Sequence, residues 1–146
     1  MLSKLELNSI RMKVEREYEE EQRRLDEIAR EQFQHIKEET IAYCENELNE
    51  IFLKKAENRE VLQFTKRFHL EKDRIGNTLA YPLQIEDYIF DNGDSSYRPD
   101  KKHIFDLETM ESHLKAHYFT VIYEENPYKQ YGVGYQKGID MIIHAE

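Results

Sequence analysis

No glycine occurs before Gly76 and no proline before Pro82. These two residues are the strongest helix breakers, so nothing up to Ile75 forces a helix to stop. From Lys4 to Lys55 the chain is rich in Glu, Arg, Lys, Gln, Leu and Ala and poor in β-branched residues, a set that loses little rotamer freedom in a helix. Ser3 followed by Glu6 has the spacing of a capping box. We therefore read Leu2 to about Asn58 as one long, charged, amphipathic, coiled-coil-like helix.

The apolar positions set its period. Leu7, Ile10, Val14, Tyr18, Leu25, Ala29, Phe33, Ile36, Tyr43, Leu48 and Ile51 follow steps of three, four and seven, and Glu21, Gln32 and Thr40 are polar gaps in the stripe. Leu7, Tyr18, Ala29, Thr40 and Ile51 are each eleven apart, which implies a nearly straight or slightly right-handed supercoil. The opposite face alternates in sign, with Glu19 to Arg23 and Asp26 to Arg30 as favourable pairs.

About 50 helical residues extend roughly 75 Å, whereas the remaining chain would fold to a body only about 30 Å across. One such body cannot cover the whole stripe. The uncovered part needs another helix: a second copy, a different protein, or a second arm of the same segment after a bend near Gln34 to Thr40, where no turn residue stands. The expectation is a homodimer, with Leu7, Ile10, Val14, Tyr18, Leu25, Phe33 and Ile36 as the oligomerisation residues.

After Asn58 the period changes. Leu62, Phe64, Phe68 and Leu70 share one parity, with Lys66 the exception, and Gln63, Thr65, Arg67 and His69 share the other. Such alternation predicts a half-buried strand, with a continued helix through Val61, Phe64 and Phe68 as the rival. A turn over Asp73–Asn77 and a second alternation at Leu79, Tyr81, Leu83 and Ile85 complete a hairpin. Tyr88, Ile89 and Phe90 form an apolar patch before Asn92-Gly93, a turn pair. From there a loop to Lys102 is expected to be the most mobile stretch. Asp106 is a candidate N-cap for a helix to about His117 that turns Leu107, Met110 and Leu114 inward. Strands are expected at Phe119–Tyr123, Tyr131–Tyr135 and Ile139–Ile143, broken by Gly132, Gly134 and Gly138. The fold class is α+β: residues 1–58 form the long helix, and residues 59–146 form a small antiparallel sheet domain with one further helix.

Composition narrows the function. The net charge of −9 and the pI near 5.2 oppose non-specific binding to nucleic acid or anionic membrane. Residues 1–60 hold 11 basic and 16 acidic residues, so the acidity is spread along the chain. Cys44 is the only cysteine, which excludes a disulfide framework and a thiolate zinc site. With no apolar signal core and no run long enough to span a bilayer, the expected location is the cytoplasm.

Two constellations bear on chemistry. His113 and His117 are four apart on one predicted helix, a spacing that can share a metal; no third ligand accompanies them, so no metal or other cofactor is assigned. The segment Gly132-Val133-Gly134-Tyr135-Gln136-Lys137-Gly138 lacks the Gly-Lys-Ser/Thr ending of a phosphate loop, and Glu124-Glu125-Asn126 lacks the lysine of a metal-dependent nuclease core. Tyrosine is the stronger bias: eight of the ten lie from Tyr81 onward. Tyr128, Tyr131 and Tyr135 with Lys129 suit a protein-binding surface, since tyrosine offers rigid area with a polar tip. These features favour a non-enzymatic protein–protein interaction protein. It would dimerise or dock through the helix, and one version is an acidic inhibitor of a basic nucleic-acid-handling protein. The alternatives are a metal-dependent domain using His113 and His117, and a single-strand nucleic-acid binder using the C-terminal tyrosines.

Overall fold

The computed structural model describes residues 1–145. A single continuous helical rod leads the chain: α1 (Lys4–Tyr43), a π turn (Cys44–Leu48) and α2 (Asn49–Glu57). There is no bend and no helical hairpin. The capping box at its start is present: the Ser3 hydroxyl accepts from the Glu6 amide at 3.1 Å, and the Glu6 carboxylate accepts from the Ser3 amide at 3.4 Å. The rod ends in a Schellman arrangement, with Arg59 left-handed at φ 58° and the Glu60 amide donating to the Lys55 carbonyl at 2.8 Å.

The π turn accounts for a departure from the expected stripe. Thr40, Cys44, Leu48 and Phe52 are all buried, and they are four apart. In a helix of 3.6 residues per turn each step of four rotates the side chain about 40° further round the axis. The wider turn at Cys44–Leu48 takes back that drift and keeps the four in line. Phe52 is therefore buried in place of the expected Ile51, which is half-buried.

The strands follow: β1 (Gln63–Lys72), β2 (Thr78–Ile89) and β3 (Ser95–Pro99), then α3 (Leu107–Ala116), then β4 (Thr120–Glu125), β5 (Tyr128–Gln130), β6 (Gly134–Gln136) and β7 (Ile139–His144). Five of them form one antiparallel sheet in the order β3-β2-β1-β7-β4, and β5 and β6 form a separate hairpin. The β1–β2 turn is built by Asp73, whose carboxylate accepts from the amides of Ile75 at 3.0 Å and Asn77 at 2.8 Å.

One sheet face meets the rod. Phe64, Lys66 and Phe68 of β1 stand opposite Ile143, Met141 and Ile139 of β7. Cys44, Leu48 and Phe52 of the rod, Met110 and Leu114 of α3, and Ala80 and Phe105 close the same core. Edge-on rings link the layers: Tyr43 to Phe105 at 4.8 Å, Phe105 to Phe68 at 5.8 Å and Phe52 to Phe119 at 5.1 Å between centroids. The Thr40 gap in the stripe is also explained. Thr40 is fully buried, donates to the Ile36 carbonyl at 2.8 Å and accepts from the Asp106 amide at 3.1 Å. It pins the start of α3 to the rod.

The other sheet face carries β5 and β6. Arg67 makes an ion pair with Asp140 at 3.2 Å and donates to the carbonyls of Asn126 at 3.2 Å and Pro127 at 3.3 Å. A Cβ on Gly138 would lie 2.5 Å from the Asn126 carbonyl oxygen, so glycine there permits close backbone approach.

Three expectations are corrected. The stretch from Ser95 to Pro99 is strand β3 and not loop, because Ser96 is buried and donates to Glu86 across the ribbon at 2.9 Å. Tyr131 to Val133 is a turn and not strand, with Gly132 at φ 78° and Gly134 at φ 94° supplying the left-handed backbone. Asp106 occupies the N-cap of α3 but caps no backbone amide; its carboxylate accepts from the Thr109 hydroxyl at 2.6 Å.

Burial of ionisable groups predicts alkaline instability. Burial pushes the Cys44 thiol up to about 11 and the Tyr43 hydroxyl up to about 12. It also raises Tyr81, Tyr128 and Tyr123, the last aided by Glu111. The unfolded chain releases these protons near their ordinary values of about 8.5 to 10, so the folded state holds more protons and loses stability as pH rises past them. Lys66 acts in the opposite sense, because burial lowers its amine, but it is one group against five. The melting temperature should fall steadily between about pH 9 and 11. Calorimetry across that range checks it, and a flat profile would contradict the burial of these five groups.

Candidate functional site

Met1 through Glu21 are exposed without interruption, and Gln22 is the first half-buried residue of the rod. The last anchor between rod and sheet domain is Arg74 in the β1–β2 turn, which donates to Asp26 at 2.8 Å and Gln22 at 2.6 Å. Residues 4–21 therefore project as a spur of roughly 27 Å. Along it Leu7, Ile10, Val14 and Tyr18 are 52%, 51%, 58% and 65% exposed. They continue the helix face that packs on the domain further along, where Leu25 and Phe33 are half-buried and Ile36 is buried. Of the seven expected oligomerisation residues, the structure leaves the first four open and uses the last three inside the chain.

The charges of the spur are segregated. Residues 4–13 carry Lys4, Arg11 and Lys13 against Glu6, while residues 15–21 carry five glutamates against Arg16. Val14 sits at the boundary.

A second surface lies where the β5–β6 hairpin meets the end of the β2–β3 ribbon. The Tyr131 amide donates to Ser96 Oγ at 2.9 Å, which sets the hairpin against the ribbon. The Tyr131 ring is 4.2 Å from that of Tyr88, and Tyr88 is 4.9 Å from Phe90. The Lys129 ammonium lies over Phe90 at 4.1 Å and over Tyr135 at 5.4 Å, within cation–π range. Tyr131 and Tyr135 are exposed; Tyr128 is buried, its hydroxyl 3.1 Å from His69 Nδ1, so it holds the hairpin to the sheet and is not a surface group. Tyr88 and Phe90 join the patch from about 40 residues away, and no local sequence signal links them to Tyr131.

The His113 and His117 rings lie 4.7 Å apart. His117 Nδ1 donates to the His113 carbonyl at 2.9 Å, which leaves only Nε2 of that ring free, and His113 Nε2 is 4.0 Å from Glu45. No group of three His, Cys, Asp or Glu that could hold a metal exists among the described residues. Lys66, the exception in the β1 alternation, lies 5.3 Å from the Tyr43 ring and 5.8 Å from the Phe105 ring, on a cleft of about 560 Å³ also lined by Glu47, Asp100 and His103.

Among the described residues no helix is long and apolar enough to cross a membrane. No family model matches the sequence, and no curated protein or solved structure is detectably similar to it.

Proposed function

We propose that this is a non-enzymatic interaction protein that docks a helix on the exposed face of its N-terminal spur. The observation that carries this is the change along one helix face. From Leu25 onward it is covered by the domain, and at Leu7, Ile10, Val14 and Tyr18 it is bare. An isolated helix of this length is marginal in water, and four large apolar side chains in line are a stripe that gains from burial. The aromatic patch of Tyr88, Tyr131 and Tyr135 around Lys129 gives the sheet domain a second protein-binding surface, of the rigid aromatic kind that dominates interface energetics.

Site-specific photo-crosslinking in living cells tests the spur. A photoreactive residue at Val14 should give protein adducts, while one at Arg16, on the far side of the same helical turn, should give few. Equal labelling at both positions, or none at Val14, would remove the reading.

A further inference from the structure

We infer that the spur takes a second copy of this chain, antiparallel, with the two Val14 residues facing each other at the centre. This rests on the spur being a docking face and names its occupant.

Length is the first observation. The helix begins at Lys4, and the domain begins to cover it at Gln22. The open stretch from residue 4 to residue 21 has its midpoint between Met12 and Lys13, within two residues of Val14. An antiparallel second copy centred on Val14 lays the open part of each spur along that of the other from residue 7 to residue 21, just short of the domains. Three of the four apolar positions meet in this register, and Leu7 lies level with the second copy's Glu21. Val14 faces Val14, and Ile10 faces the second copy's Tyr18.

Charge is the second observation. Residues 4–13 are net positive and residues 15–21 net negative. Parallel pairing would set five glutamates beside five glutamates and basic residues beside basic residues. Antiparallel pairing lays each positive block along a negative one. On the flanks of the seam, Arg11 falls near the second copy's Glu15, and Lys13 near its Glu17, each pair occurring twice by symmetry. A seam of three matched apolar side chains per helix is short, so the expected association is on the order of micromolar.

The test uses the full chain. Sedimentation equilibrium over a range of concentrations should show a monomer–dimer exchange. Under mild oxidation, Val14→Cys should form a disulfide dimer with itself. Leu7→Cys alone should not, because the two positions would be about 21 Å apart, and Ile10→Cys mixed with Tyr18→Cys should form the mixed dimer. The native Cys44 is buried and does not compete. Arg11→Glu should weaken the dimer roughly three- to tenfold at low salt, with restoration when Glu15→Arg is added. These positions are exposed and touch nothing in the domain, so an unchanged circular dichroism spectrum verifies the fold of each variant. Self-linkage of Leu7→Cys would establish parallel pairing and overturn the inference, as would a monomer at all concentrations. A monomer that still crosslinks to a different protein at Val14 would overturn the second copy as occupant while leaving the spur as a docking face.

Discussion

Phe68→Ala should lower the stability of the fold by about 3–5 kcal/mol, the range for removing a fully buried aromatic ring. Phe68 has no exposed surface, lies in the central strand of the five, and touches the edge of Phe105, which in turn touches Tyr43 of the rod. Its loss empties the point where rod and sheet meet. Leu70→Ala is the matched control, because Leu70 lies two residues on along the same face but is 38% exposed. It should cost about 1 kcal/mol or less. Urea denaturation measures both, and equal losses would contradict the burial difference.

A chain lacking residues 1–21 should melt within a few degrees of the full protein. A chain beginning at residue 59 should show no cooperative transition. The first deletion removes only exposed side chains. The second removes Cys44, Leu48 and Phe52, which form one wall of the core. Losing Leu48 and Phe52 alone costs about 2–5 kcal/mol each, against a total of about 5–15 kcal/mol for a typical domain. Thermal melts followed by circular dichroism separate the two cases. A cooperative melt of the shorter chain would mean that the sheet and α3 close their own core without the rod.

Much of this was legible because it was local. The rod announces itself by the absence of breakers, and the β1–β2 hairpin by alternation around Asp73–Asn77. The helix at Leu107–Ala116 follows from its apolar spacing. What escaped depends on distant contacts. Ser95 to Pro99 is polar and proline-ended, and becomes a strand only because Glu86 receives the buried Ser96 hydroxyl. Thr40 looks like a defect in the stripe until Asp106, 66 residues later, supplies the amide that it accepts from. For the candidate surfaces, chain length alone required some of the stripe to stay bare, but which part was set by Arg74 reaching back to Gln22 and Asp26. Tyr131, Tyr135 and Lys129 were visible as a tyrosine-rich run. The burial of Tyr128 was not, because its partner His69 lies on another strand.

The π turn at Cys44–Leu48 also sets the rotational phase of everything that precedes it. The domain holds Leu48 and Phe52 on one side and Ala29, Ile36 and Thr40 on the other, and the extra residue lets both sets face inward together. Winding the same residues as regular α-helix, with none removed, would rotate one set roughly 100° relative to the other. Either the core or the bare stripe must then point elsewhere. The direction in which Val14 looks, some 30 residues away, is thus fixed by a five-residue irregularity inside the domain.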